Sequence, residues 1–127
     1  MQKLRILVVD DEEELVHALV ERLQLRGMDA HGVVTGKEAL ERIRNESFNV
    51  VLLDVKMPGL GGLKVIQEIK SQRPCVQVIM LTGHSSAQDA ERGRQLGAFE
   101  YLQKPVNIDR LCQILRAAAL REEDCRE

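Results

Sequence analysis

The sequence has few aromatic residues and little net charge. Its 127 residues contain no tryptophan, one tyrosine and two phenylalanines: Tyr101, Phe48 and Phe99. With so few rings, stacking on single-stranded nucleic acid is not expected. The formal net charge is −2, so composition predicts no general attraction to nucleic acid or to a membrane surface.

Cysteines are also few. Cys75, Cys112 and Cys125 are odd in number, lie far apart in the chain and form no C-x-x-C pair. A disulfide framework or a zinc site needs more cysteines at closer spacing. We therefore expect reduced thiols, as in a cytosolic protein.

Long apolar runs are missing as well. No run approaches the ~20 residues needed to span a bilayer. Met1–Leu4 leads directly into a strand-like stretch, which leaves no room for a signal peptide. We expect a cytoplasmic chain without membrane contact. Its length suits about one domain, which we place at residues 1–121, followed by a charged, frayed tail at 122–127.

Short apolar runs alternate with helical patterns along the whole chain. Leu4–Val9, Val50–Leu53 and Val76–Leu81 are almost entirely apolar, as buried parallel strands should be. Ala30–Val34 and Ala98–Leu102 contain polar residues and suit the edges of a sheet. Five strands alternating with five helices predict an α/β fold: a doubly wound, flavodoxin-like parallel sheet of order 2-1-3-4-5, with helices on both faces.

The helices between these strands have readable starts. Thr35–Glu38 fits a capping box, Ser86–Asp89 is a looser version, and Asn107 suits an N-cap. Ala87–Gln95 is the least apolar of the helical stretches. We therefore expect that helix to be the most loosely docked.

Polar residues collect where the predicted strands end. Ligands of open α/β sheets bind outside the carboxyl ends of the strands, near the point where the strand order reverses. We therefore expect one crevice to contain five residues: Asp10, Asp11, Asp54, Thr82 and Lys104.

Three of these residues are carboxylates. Carboxylates held this close repel each other unless a cation compensates them. Mg²⁺ prefers oxygen ligands and retains several waters, so two carboxylates and a backbone carbonyl suffice; Mn²⁺ is the alternative ion. The structural alternative is that Asp10 or Asp11 caps the following helix, because Asp is a favoured N-cap. Capping accounts for one of these two residues and not for Asp54.

Asp54 is the candidate nucleophile. A strand-end aspartate can accept a phosphoryl group covalently, and such a transfer depends on positioning and charge neutralisation. The Lys104 ammonium and the Thr82 hydroxyl are suitable partners for phosphoryl oxygens. In isolation, a lysine before proline is usually a surface residue and a threonine after a strand a turn former. Their shared location favours the functional interpretation.

These residues lie in four motifs, VVDDEE, LLDVKMPGLGG, MLTGH and YLQKP. Their order and spacing resemble the receiver domain of bacterial two-component response regulators, including the chemotaxis regulators, over nearly the whole chain. The resemblance implies that Asp54 takes a phosphoryl group from a phosphohistidine on a sensor histidine kinase or a phosphotransfer protein. It also implies that Asp11, Asp54 and the carbonyl of Lys56 coordinate Mg²⁺, with Asp10 bound mainly through water.

The resemblance further assigns the phosphoryl-binding and switching groups. Thr82 and Lys104 would hold the phosphoryl oxygens, helped by the amides of Lys56 and Gly83. Tyr101 matches the aromatic residue that moves inward with Thr82 and reshapes the face built from helix 4, strand 5 and helix 5. That face could support a homodimer. No direct nucleic-acid contact is expected from the domain.

The resemblance also predicts a cis peptide bond between Lys104 and Pro105. Two departures from the family pattern are present. Gly61 replaces an acidic residue often found before the glycine that matches Gly62. Lys56 and His84 stand at variable positions that line the water's approach to the phosphoryl group, and both can be cationic.

Other functions of strand-end carboxylates and glycine-rich loops fit the sequence less well. A haloacid-dehalogenase-type phosphatase would need an acid two residues after Asp54, where Lys56 stands. A nucleotide-binding domain would need a glycine pattern that GLGG does not match. A receiver-like module that is never phosphorylated usually lacks an acidic or lysine position, and none is lost here. The leading function is a phosphorylation-controlled interaction switch rather than an enzyme with a separate substrate; a phosphoryl relay is the alternative.

Overall fold

The computed structural model describes residues 3–55, 61–83 and 87–126. These residues form five strands and five helices in strict alternation. The elements are β1 (Arg5–Val9), α1 (Glu13–Leu25), β2 (Asp29–Val33), α2 (Gly36–Asn45), β3 (Val50–Leu53), α3 (Gly62–Gln72), β4 (Gln77–Thr82), α4 (Ala87–Gln95), β5 (Glu100–Gln103) and α5 (Ile108–Arg126).

The five strands form one parallel sheet in the order β2-β1-β3-β4-β5. The predicted fold and strand order are therefore confirmed. Val9 of β1 lies beside Leu53 of β3, and Leu53 lies beside Met80 of β4. This register brings the residues that follow β1 and β3 to the same level at one end of the sheet.

The strand bounds differ from the predicted ones by small shifts. β3 has the predicted bounds, whereas β5 begins at Glu100 rather than Ala98. The shift at β5 has a local cause: Gly97 adopts a φ of 109°, and the Ala98 amide donates to the Gly93 carbonyl at 2.9 Å. These contacts close the turn after α4, so Ala98 belongs to that turn and not to the strand.

The apolar core has two layers, one on each face of the sheet. Ile6 and Val8 of β1 face the layer that contains α1 and α5. Leu7 and Val9 face the layer that contains α2 and α3. This alternation follows from the period of two in a β-strand, and burial on both faces explains why the central strands are almost purely apolar.

The helix starts follow the predicted capping residues wherever the structure describes them. The Thr35 hydroxyl accepts the Glu38 amide at 3.1 Å, and the Asn107 side chain accepts the Arg110 amide at 3.0 Å. The predicted cap at Ser86 lies outside the described residues.

α4 buries only Ala90 and Gly93, and a Cβ on Gly93 would overlap the sulfur of Met80.

Two expectations about the cysteines and the chain end are wrong. Cys75 and Cys125 form a disulfide, with Cα atoms 5.4 Å apart, whereas Cys112 is a buried free thiol as expected. α5 continues to Arg126, and Glu122 within it is buried, so these residues are not a frayed tail. The reason is the length of α5, whose 19 residues carry Cys125 to the start of β4. The domain boundary at residue 121 stays a prediction.

α5 is long, but no helix in the described part of the chain combines the length and apolarity needed to cross a membrane.

Candidate functional site

The central strands place two of the predicted carboxylates side by side. Asp10 and Asp54 directly follow β1 and β3, and the Asp54 amide donates to the Val9 carbonyl at 2.9 Å. Both side chains are buried, with relative exposures of 2% for Asp10 and 5% for Asp54. Buried carboxylates need charged or hydrogen-bonding partners, so their surroundings decide what this end of the sheet can bind.

Asp11 completes a cluster of three carboxylates. Asp10, Asp11 and Asp54 each offer an oxygen, and these oxygens all lie within 4.8 Å of one another. Two oxygens bound to one Mg²⁺ lie no more than about 4.2 Å apart, because each lies about 2.1 Å from the ion. Small side-chain rotations would therefore bring the cluster into range of a hard divalent cation. The donor set fits Mg²⁺ or Mn²⁺.

Asp10 also has a structural role. Its Oδ1 accepts the Glu12 amide at 3.0 Å and so holds the turn that leads into α1. Its Oδ2 lies 2.7 Å from the ammonium of Lys104. Asp10 therefore holds the entry to α1, as considered above, and also belongs to the carboxylate cluster. Both of its carboxylate oxygens already have protein partners. Asp11 is exposed and is the more accessible of the two neighbours.

Lys104 supplies the cationic group of the site. Its Nζ lies 2.7 Å from Asp10 Oδ2 and 3.6 Å from Asp54 Oδ2, and its side chain is only 15% exposed. Burial of the ammonium lowers its pKa, but the hydrogen bonds that it donates to Asp10 and Glu12 and the charges of Asp10 and Asp54 outweigh burial, so the pKa of Lys104 is raised. Lys104 therefore stays protonated at neutral pH. The Lys104–Pro105 peptide bond is cis, as predicted.

Thr82 and Gly83 stand on the neighbouring strand end. Thr82 is fully buried at the end of β4, and its carbonyl accepts the Lys104 amide at 2.9 Å. A Cβ on Gly83 would lie 3.8 Å from the Lys104 side chain, so this glycine flanks the lysine. Tyr101 lies beside Met80 in the sheet register and packs, half-buried, against the α2–α3 layer. Thr82 and Gly83 therefore lie beside Lys104, whose ammonium is 3.6 Å from Asp54.

Two glycines, Gly61 and Gly62, form the start of α3. Gly61 has a φ of 82°, a region that residues with side chains rarely adopt. The Gly62 amide donates to the Val55 carbonyl at 3.2 Å, and a Cβ on Gly62 would overlap the Val55 backbone. Gly61 thus suits this turn despite the departure from the family pattern. Lys56, with its predicted carbonyl and amide contacts, and His84 lie outside the described residues.

One further residue of this site, Glu12, carries no motif that predicts it. Glu12 places its Oε1 3.1 Å from the Lys104 ammonium. Its position directly after the two aspartates is the only sequence signal, and a glutamate at the start of a helix normally indicates a favourable helix-dipole interaction.

Comparison with known proteins identifies the family. A family model described as the response regulator receiver domain matches residues 6–116. The chain belongs to this family. It is a receiver domain of the kind found in two-component systems, and receiver domains are phosphoacceptors that interact with histidine kinases or phosphotransfer proteins.

Relatives of this receiver domain include longer proteins. It is 35% identical over 118 residues to the DNA-binding transcriptional regulator NtrC of Escherichia coli, covering 93% of this chain and 25% of NtrC. The chain therefore spans about a quarter of that curated relative.

Solved receiver domains match the fold closely. A CheY-like receiver domain from Methanospirillum hungatei superposes with a TM-score of 0.92 at 30% identity, covering 97% of this chain and 98% of that one. The beryllofluoride-activated NtrC4 receiver domain dimer superposes with a TM-score of 0.87 at 36% identity, covering 93% of this chain and 98% of that one.

Proposed function

We propose that this receiver domain accepts a phosphoryl group on Asp54 from a phosphohistidine of a sensor histidine kinase or phosphotransfer protein, and that phosphorylation changes its protein–protein interactions. The observation that carries the proposal is the pairing of the buried Asp54 carboxylate with the Lys104 ammonium, 3.6 Å away, inside a carboxylate cluster suited to a divalent cation. This arrangement combines a nucleophile, a fixed cation and a metal-type donor set.

Asp10, Asp11 and Asp54 would hold Mg²⁺ or Mn²⁺, with the backbone carbonyl of Lys56 as a further ligand and Asp10 contributing mainly through water. The side-chain oxygens of Asp10 already have protein partners, which supports the indirect role. When bound, the ion would neutralise negative charge around the transferred group.

The residues of the chain would carry the transfer itself. An Asp54 oxygen forms a bond to phosphorus while the bond from phosphorus to the donor's histidine nitrogen breaks, and that nitrogen keeps the electron pair. Lys104 is already protonated, so its positive charge is in place to stabilise the phosphoryl oxygens as they develop negative charge. The Thr82 hydroxyl and the amides of Lys56 and Gly83 provide the remaining hydrogen bonds.

The proposed switch begins at Thr82. A phosphoryl group adds about −1.5 to −2 charges and strong acceptor oxygens, which would draw the Thr82 hydroxyl toward Asp54. Tyr101 would then move into the vacated space. α4 has few buried residues to hold it in place, so a small bias suffices to shift it. The output surface is the face built from α4, β5 and α5, through which the domain would bind a partner or form a homodimer. The activated NtrC4 receiver dimer supports the second outcome.

The first test is phosphorylation by acetyl phosphate in the presence of Mg²⁺. We expect a mass gain of one phosphoryl group, stable to acid and labile to hydroxylamine, and complete loss of this gain in Asp54→Asn. Asp29→Asn is the matched control, because Asp29 lies at the opposite end of the sheet on β2. A mass gain on a residue other than Asp54 in the unmutated protein would contradict the assignment.

The second test separates a switch from a phosphoryl relay. We expect beryllofluoride to alter amide hydrogen exchange in α4, β5 and the start of α5 as well as in the loops around Asp54. Changes confined to those loops would identify a relay, whose Asp54 passes the phosphoryl group on without reshaping the output face.

A further inference from the structure

Glu12 has an unusual position for a surface glutamate. Its backbone is held at both sides, because its amide donates to Asp10 Oδ1 at 3.0 Å and its carbonyl accepts the Val16 amide at 3.1 Å. Glu12 is the N-cap residue of α1, yet its side chain makes no capping hydrogen bond. The carboxylate instead reaches Lys104, with Oε1 3.1 Å from Nζ. The backbone of Glu12 is therefore fixed at the start of α1, while its carboxylate contacts Lys104 and does not cap the helix.

The three carboxylates around Lys104 differ in how easily they can release it. Asp10 lies closest, at 2.7 Å, and its side chain is 3% exposed. The Glu12 side chain is 64% exposed, so its carboxylate can exchange Lys104 for water. The ammonium has only three donor hydrogens, so a new partner must displace an existing one. The ion pair with Glu12 is the weakest of the existing ones because it is exposed. A group that arrives at Asp54 and needs Lys104 would therefore displace Glu12 first.

We propose that Glu12 is a positioning residue that holds the Lys104 ammonium while Asp54 is unmodified and competes with the phosphoryl group for it. Glu12 thereby lowers the affinity of the site for the phosphoryl group. This inference rests on the proposed function, because it concerns the same lysine and the same transferred group.

If Glu12 competes for Lys104, removing the charge of Glu12 should raise the affinity of the site for an anion. Glu12→Gln keeps the size of the side chain but removes its charge, so the contact with Lys104 is weakened and one negative charge leaves the entrance of the site. Glu12→Asp keeps the charge but shortens the reach toward Lys104. Glu13→Gln is the matched control: it removes the same charge one residue later, where the glutamate lies 4.0 Å from His17 and points to a different partner.

The experiment is a calorimetric titration of the full chain and its variants with beryllofluoride at saturating Mg²⁺ and about 0.15 M salt, where distant charges are screened. We expect Glu12→Gln to bind about 3-fold more tightly than the unmutated protein. Glu12→Asp should fall between them, and Glu13→Gln should stay within about 1.5-fold of the unmutated protein. Saturating Mg²⁺ keeps the metal site filled in every variant, so differences in Mg²⁺ affinity do not enter the comparison.

The outcomes separate the two claims. Equal beryllofluoride affinity in Glu12→Gln and the unmutated protein would overturn the role of Glu12 and leave the proposed function standing. An equal gain in Glu12→Gln and Glu13→Gln would also overturn it, because the effect would then come from net charge and not from the contact with Lys104. Failure of the unmutated protein to bind beryllofluoride would instead count against the proposed phosphoacceptor function.

Discussion

The two ends of the same sheet differ in how well their charges are matched. Carboxylates are in excess at one end and are paired with cations at the other. At the end where the strands finish, which we call the carboxyl edge, Asp10, Glu12 and Asp54 surround Lys104, and Asp11 lies beside Asp10 and Asp54 in the carboxylate cluster. These four carboxylates lie close to one ammonium, which contacts three of them. The excess negative charge leaves the carboxyl edge suited to a divalent cation.

At the other end, which we call the amino edge, the carboxylates of Asp29 and Glu46 both meet cations. Arg5 lies 3.0 Å from Asp29 and 3.1 Å from Glu46, and Arg42 pairs with Glu46 as well. The Arg5 guanidinium also stacks on Phe48, 4.7 Å from the ring centre. The amino edge therefore forms a closed network that leaves little unbalanced charge for a ligand.

Further crosslinks reinforce the amino edge. The buried Glu122 of α5 accepts a hydrogen bond from Asn49 at 2.6 Å and pairs with Arg126. One turn later, the Cys75–Cys125 disulfide joins the end of α5 to the segment before β4. The comparison gives the two edges different roles: substitutions at the amino edge should lower stability and spare ligand binding, and substitutions at the carboxyl edge should weaken ligand binding without lowering stability.

The largest effect on stability should come from the disulfide. It closes a loop of 50 residues, for which the loss of unfolded-state entropy predicts a stabilisation of about 2–4 kcal/mol. We expect the Cys75→Ser/Cys125→Ser variant to lose this amount in urea unfolding while its affinity for Mg²⁺ is unchanged.

The control for the disulfide is chemical reduction. A phosphine reductant should lower the stability of the unmutated protein to that of the double variant and have no effect on the variant itself. If reduction also weakened Mg²⁺ binding, the two edges would not be independent.

A substitution at the carboxyl edge should have the opposite signature. Asp11→Ala removes an exposed member of the carboxylate cluster, and we expect Mg²⁺ affinity to fall about 100-fold, equivalent to about 2.7 kcal/mol. In metal-free buffer the variant should be more stable than the unmutated protein, because one repulsive charge has left the cluster. Calorimetric titration and urea unfolding measure the two effects. Normal Mg²⁺ binding by Asp11→Ala would contradict the assignment of the cluster.

The smallest predicted effect is a pH dependence at the amino edge. Hydrogen bonding from Arg42 and Arg5 outweighs burial and lowers the pKa of Glu46 from 4.5 to about 2. A lowered pKa contributes stability above about pH 4.5, and that stability is lost as the pH falls toward 2. Because Glu46 is one-third exposed, we expect only about 1 kcal/mol.

Glu46→Gln should therefore be less stable than the unmutated protein at pH 7, and the gap should narrow as the pH falls from 4.5 toward 2. Glu41→Gln, at an exposed position on α2, should show no such trend. A gap that stayed constant with pH would show that the charge of Glu46 is not what stabilises this edge.

Much of the fold and site was predictable from the sequence because the signals are local. Buried parallel strands require continuous apolar runs, so Val50–Leu53 identified β3. The hydroxyl of Thr35 and the amide of Asn107 identified helix starts because capping acts within three residues. Asp10, Asp54 and Lys104 were predictable as neighbours because the carboxyl ends of parallel strands share one edge of a sheet.

The remaining features depend on distances across the fold, which local patterns do not encode. Cys75 and Cys125 are 50 residues apart and carry no spacing motif. Only the length and direction of α5 bring them together, just as they bring Glu122 to Asn49. The contact between Glu12 and Lys104 likewise joins residues 92 positions apart. The amino-acid order thus specified which elements form and which edge is chemically active, through periodicity and strand polarity. Three-dimensional packing selected the long-range partners, because the rotamer and exact reach of each side chain follow from how the helices dock on the sheet.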